Sequence, residues 1–577
     1  MLDLVKHGVK NFVPGALALF LVLALACGTA APTTEEVQPA SPTAAPAASA
    51  ATAVPPQPTP VTVASEEPAA PTAVSDPASA AMVEEEERPI LKAGVIWLDS
   101  PLDPVESGWV ANQSGMSENL FRLSGTTLSP EPWLATEATQ VDPLTWEIGI
   151  RTGVKFHNGN VMDAQAVKAS LDRAIRLSPA AADILSVDTI TVEDDQTITI
   201  TTTVPQPTLP GLLITPSLAI TDAAAAEAAG EGNIIAARAL TGPYIPTEYI
   251  QLERLDSVAN DEYWGGAPPL AGINHVAIPD TNSRELALQA GDIDVAINVS
   301  PEGTRIINDH ADTQTQTAGI GTSLVLWWVN FERGTLADPL VRRAVAHAID
   351  RESISGLVAP AGTGSFADTL LPEALVSCPG VAGPGFDPEL ARELLSQAGY
   401  TDSDGDGLVE KDGQPLEIVI GGYPQRFQLP IMAEAAQAML ADVGIGVDVQ
   451  ISEWSAVKEP VWDLFGWYNN VVDAGDPVLN VSKFVGLEAN AESSAANNYG
   501  HYDNTGLAEI VAQAGGVSDL EERKRIACEA MAVTTEEVVL LPVAHSYFVY
   551  GVSERVTDFD PHPAHLYYFD NRIGLTE

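Results

Sequence analysis

The chain has 577 residues, 45% of them hydrophobic and 6% aromatic, which is enough for two or three domains with cores of their own. Its 78 acidic and 28 basic residues give a formal charge of -50. That charge excludes nucleic acid as a partner and adhesion to anionic lipid through a basic patch, because both need a basic footprint; it reads as a solvated, self-repelling surface.

Residues 1–27 read as a targeting segment. Lys6, His7 and Lys10 precede an apolar run from Phe12 to Ala26, short for a membrane span and suited to a signal-peptide core. Ala26-Cys27-Gly28 resembles a bacterial lipobox, which implies lipidation at Cys27 and a lipid anchor in the cell membrane. Residues 28–88 are dominated by Ala, Pro, Thr, Ser and Glu. Such a segment buries too little apolar surface to offset its ordering entropy, so a disordered, semi-extended tether is expected.

The folded body is expected to begin at Ile90 with a strand through Leu98, stopped by Pro101 and Pro104. Thr145–Ile150 alternates as a strand, and Asn158-Gly159 marks a turn. Asp163 caps a helix whose apolar side is Ala164, Val167, Leu171 and Ala174. Two alternating runs around 193–196 read as a hairpin. His157 is read as a turn histidine, since no metal-ligand partner stands at coordinating spacing. The stretch 240–294 carries Gly242-Pro243-Tyr244, then Tyr263-Trp264-Gly265-Gly266, then Gly291-Asp292-Ile293-Asp294.

Residues 322–331 are apolar on both faces and predict a buried strand. Asp338-Pro339 and Asp387-Pro388 each predict a helix start; Arg342 and Arg343 in the first of these helices are expected to be solvated or ion-paired. Asp402, Asp404 and Asp406 stand at alternate positions as in a calcium loop, but the twelfth position is Gly413 and a strand follows, so a plain turn is expected and no metal is assigned. Residues 429–443 and 446–451 read as helix and strand. Residues 540–550 read as one strand re-entering the first domain. Cys378 and Cys528 are permitted a disulfide outside the cytoplasm, though nothing in the sequence makes them adjacent.

These motifs, in this order, resemble the family 5 extracellular solute-binding proteins of ATP-driven importers, the group that includes oligopeptide- and dipeptide-binding proteins. The resemblance covers nearly all of residues 90–570. It implies an α/β fold of the two-lobed periplasmic-binding-protein type II, in the large, three-domain cluster C architecture. The first lobe would comprise 89–118, 239–322 and 546–577, with an inserted domain at 119–238; the second lobe would be 323–545. Solute would bind between the lobes and be delivered to the permease subunits of an ABC importer, without catalysis or a cofactor.

The same resemblance implies that Asp473, in Asp473-Ala474-Gly475-Asp476-Pro477, pairs with an amino group of the solute, whereas an Asx turn or helix cap is its structural alternative. Ser100, in the loop after the first strand, Trp467 and Asn470 are further candidate contacts. Relatives carry Trp at the position of Asn470, which makes peptide less secure as the substrate. A monomer that binds a peptide or other amine-bearing solute is expected; an oligosaccharide importer or a surface glycan-binding lipoprotein is the alternative. No Gly-x-Ser-x-Gly elbow or His-Glu-x-x-His motif points to an enzyme.

Overall fold

A computed structural model describes residues 88–576, apart from 231, 320, 454–460, 472–474 and 488–497. The expected signal segment, Cys27, Asp473 and all but the last residue of the 28–88 tether lie outside the described residues.

Two large mixed sheets anchor two lobes. The first has seven strands in the order Thr313–Thr317, Val549–Ser553, Val295–Ile297, Ile90–Val95, Gly272–Ala277, Arg254–Ala259, Tyr244–Ile250. Ile90–Val95 runs parallel to both its neighbours. The second has six strands, Gly364–Phe366, Leu540–Ser546, Ser323–Val329, Leu464–Asn470, Glu417–Gly422 and Gly446–Ile451. Its strand Ser323–Val329 is buried at every residue and paired on both edges, which is why its sequence shows no polar face. A third, four-stranded antiparallel sheet lies within 119–238 and runs Ala135–Asp142, Thr145–Ile150, Thr197–Thr202, Val187–Asp194.

Helix starts follow their caps. Asp163 accepts from Ala166 N at 2.8 Å and opens Ala164–Leu177; Asp338 accepts from Leu340 N at 2.9 Å and opens Pro339–Ala348. One expectation needs correction. Residues 540–550 are two strands, not one: Leu540–Ser546 belongs to the second sheet and Val549–Ser553 to the first. Both pieces are apolar, so no turn residue marks the crossing between them. Arg343 is exposed and Arg342 ion-paired, as expected: Arg342 is buried 3.6 Å from the Glu537 carboxylate, beside the Phe331 ring, and donates to the carbonyls of Leu336 and Glu537 at 2.8 Å each.

The stretch 240–294 is tied to one carboxylate. Glu118, 6% exposed, accepts from Tyr263 Oη at 2.7 Å, Trp133 Nε1 at 2.8 Å and Trp264 Nε1 at 3.2 Å. Burial pushes its carboxyl up, and these donors oppose that shift. Gly242 lies against the backbone of 115–116, where an added Cβ would stand 2.4 Å from Gly115 O; only glycine fits there. Asp103, in the loop after the first strand, makes a buried bidentate pair with Arg173 at 2.9 and 2.6 Å. Cys378 and Cys528 are joined by a disulfide with a Cα–Cα distance of 5.4 Å.

Candidate functional site

A cavity of about 250 Å³ lies between the two lobes. Trp97, Asp99, Trp109, Gln113, His565 and Tyr568 line it from the first lobe; Tyr423, Arg426, Trp467, Tyr468 and Asn469 line it from the second. The first-lobe residues come from the end of the first strand, the short helix Trp109–Gln113 and the C-terminal segment. The second-lobe residues come from strand Leu464–Asn470 and from the turn between strand Glu417–Gly422 and helix Gln428–Ala441.

Arg426 is the feature that stands out chemically. Its guanidinium is only 6% exposed and lies between two rings, 4.6 Å from the centroid of Trp97 in the first lobe and 4.4 Å from that of Tyr468 in the second. Its Nε and Nη1 are buried without a hydrogen-bond partner, as is the Tyr468 hydroxyl. Stacking satisfies the faces of a guanidinium and leaves its edge, which is the fork that fits a carboxylate.

A second guanidinium adds to the positive field. Arg284 is buried and donates to the carbonyls of Ile278 at 2.6 Å, Ile297 at 2.7 Å and Asn298 at 2.9 Å. Burial, then repulsion from Arg426, pushes it down to about 10. Burial pushes the Tyr423 phenol up to about 12 and raises that of Tyr568, with Arg426 opposing both shifts. Among the described residues, Asp99, at the rim, is the lining carboxylate; partial burial raises its carboxyl. The site is therefore a locally cationic, aromatic-walled cleft in a chain of formal charge -50.

The residues singled out from sequence are placed as follows. Trp467 lines the cavity and packs on Tyr499 at 4.9 Å. Asn470 is fully buried and does not line the cavity, whereas Asn469 does. Ser100 sits behind the rim, its carbonyl accepting from Tyr249 Oη at 2.8 Å, while its neighbour Asp99 faces the cavity. Asp476 caps helix Pro477–Phe484 and pairs with buried Arg523 at 2.5 and 2.8 Å.

His157 Nε2 lies 2.9 Å from Gly242 O, and burial pushes the ring down to about 4. Among the described residues, the carboxylates close enough to share an ion are Asp402, Asp404 and Glu410, not Asp406. Asp402 accepts from Gly405 N and Gly407 N and Asp404 from Asp406 N, as an acidic turn does; Asp406 is occupied by Leu408 N.

Arg426 was not legible as a site residue. One signal was present: no acidic residue lies within seven positions of it, in a chain with 78 of them.

The family model described as bacterial extracellular solute-binding proteins, family 5 Middle, matches residues 129–505. The chain belongs to this family. It is 24% identical over 473 residues to the nickel-binding protein NikA of Staphylococcus aureus, covering 80% of this chain and 89% of that one. The crystal structure of that NikA in complex with Ni(L-His)2 superposes with a TM-score of 0.73 at 22% identity, over 85% of this chain and all of the other. The oligopeptide-binding protein AppA of Bacillus subtilis, in complex with a nonapeptide, superposes with a TM-score of 0.72 at 21% identity, again over 85% and 100%.

The protein is thus an extracytoplasmic solute-binding component of an ABC importer, from a family of binding proteins rather than enzymes. No helix among the described residues is long and apolar enough to cross a membrane.

Proposed function

We propose that this binding protein captures a small amine-bearing solute, a peptide or related compound, that also carries a carboxylate, and passes it to a membrane permease. The observation that carries this reading is Arg426: a desolvated guanidinium lining the interlobe cavity, with two buried nitrogens unpaired. Leaving such a charge without a partner is costly, and a ligand carboxylate removes that cost on binding. The nonapeptide held by AppA and the Ni(L-His)2 held by NikA are consistent with carboxylate-bearing ligands. A cavity of about 250 Å³ suits a solute of dipeptide size better than a nonapeptide.

Asp473 as the partner of the solute amine belongs to this reading, with Asp99 as a second carboxylate on the opposite lobe. So do the domain division at 118/119, 238/239, 322/323 and 545/546, which sheet membership supports, a lipid anchor at Cys27, and a monomeric state. The alternative of an oligosaccharide draws on Trp97, Trp109 and Trp467, whose ring faces suit stacking on sugars.

Mass spectrometry of the solute released from purified protein separates these readings. Calorimetry with that solute should then show Arg426→Ala weakening binding by about 1.5–3 kcal/mol, the worth of hydrogen bonds to a charged group. A neutral oligosaccharide bound equally well by Arg426→Ala would overturn the carboxylate assignment.

A further inference from the structure

The inserted region 119–238 is tied to the first lobe by polar contacts: the Asp103–Arg173 pair, the Trp133 indole donating to Glu118, and Asn119, whose Oδ1 accepts from Asn112 Nδ2. Most of its apolar residues go elsewhere. They form one continuous buried cluster with those of the second lobe, joined by Ala564 and Leu566, whereas only Ala226 and Ile234 enter the separate core of the first-lobe sheet.

The hairpin formed by Phe121–Leu123 and Pro130–Pro132 reaches across this seam. At its tip Leu128 is 1% exposed and has a φ of 55°, a left-handed conformation that a bulky side chain avoids unless its surroundings impose it. Opposite the tip stands Gly475 of the second lobe, one residue before the cap of helix Pro477–Phe484. A Cβ built on Gly475 would meet Leu128 O at 2.7 Å, and Leu123 Cδ1 and Pro130 Cδ at 3.0 Å each. The backbones can approach this closely only because Gly475 has no side chain. A second contact is looser: a Cβ on Gly516 would lie 3.6 Å from Pro205 Cβ. None of these residues lines the cavity.

We propose that the Leu128 hairpin is a latch. It holds the inserted region against the second lobe without help from solute, and so positions Trp97 and Arg426 across the cleft before solute arrives. Leu128 and Gly475 are positioning residues: they touch no solute, yet they raise its affinity by populating the binding-competent arrangement. The inference does not depend on which solute the cleft takes.

Pulsed electron resonance between spin labels at exposed Asp142 and Glu509 tests it on the purified protein, unfolded and refolded with its disulfide intact to remove solute. The wild type should show a dominant short distance. Gly475→Ala, which drives a Cβ into the hairpin backbone, should cut that population at least tenfold. Gly516→Ala shares the positive-φ strain but meets no clash, and should match the wild type. Leu128→Ala removes only the tip side chain; it should reproduce the loss and serves as the test if Gly475→Ala does not fold. A solute-free wild type without the short distance would overturn the latch. So would an unchanged distribution in Gly475→Ala, or in Leu128→Ala where Gly475→Ala does not fold.

Discussion

Arg426 and Trp97 come from different lobes and meet face to face, with the guanidinium carbon 4.6 Å from the ring centroid. Tyr468 covers the other face at 4.4 Å, so the two rings set the plane of the guanidinium. Arg426→Lys keeps the charge but loses the planar edge and the stacking. Calorimetry with the released solute should show at least a tenfold loss of affinity. Trp97→Leu removes one ring and should cost less, about 0.5–2 kcal/mol. A lysine variant that binds as tightly as the wild type would show that only net charge matters.

Asp476 and Arg523 form a buried pair, with side chains 5% and 4% exposed. Removing one partner strands the other in the interior, which costs about 3–5 kcal/mol. Asp476→Asn should therefore lower the unfolding free energy substantially in guanidinium titrations. The double variant with Arg523→Leu should lose less than the sum of the two single changes. Strict additivity would mean that the pair contributes nothing as a pair.

His157, His275 and His545 are each pushed down to about 4, chiefly by burial. Their unfolded value is 6.5, so between these limits the unfolded chain binds more protons than the folded one. The stability they contribute is present above pH 6.5 and is lost as pH falls toward 4. Each adds up to about 1.4 kcal/mol per pH unit to that slope. Melting temperatures should fall from pH 7 to pH 5, and His275→Leu should make the slope shallower by about one proton.

The disulfide spans 150 residues of chain and fixes the segment before helix Pro388–Gln397 to helix Leu520–Glu536. Replacing both cysteines by serine should lower the unfolding free energy by about 2–5 kcal/mol, because the unfolded chain regains its loop entropy. Neither cysteine lines the interlobe cavity, so solute affinity should be unchanged. Weakened binding would mean that the crosslink also shapes the cleft.

By itself, the sequence determined what local chemistry encodes. Capping by Asp163 and Asp338, the apolar run at residues 324–329 and the alternation of Thr145–Ile150 each act within one turn or one strand, and each formed as expected. The motif order was enough to identify the family, because Tyr263, Trp264 and Gly242 answer steric and hydrogen-bonding demands common to the fold. Tertiary structure alone decided that Trp133, Tyr263 and Trp264 converge on the single carboxylate of Glu118, and that Leu540–Ser546 and Val549–Ser553 part into different sheets. It also decided the chemistry of the cleft. Whether an arginine is solvated, paired or left open for a ligand depends on which groups the fold packs around it, and the rings that hold Arg426 come from two different lobes.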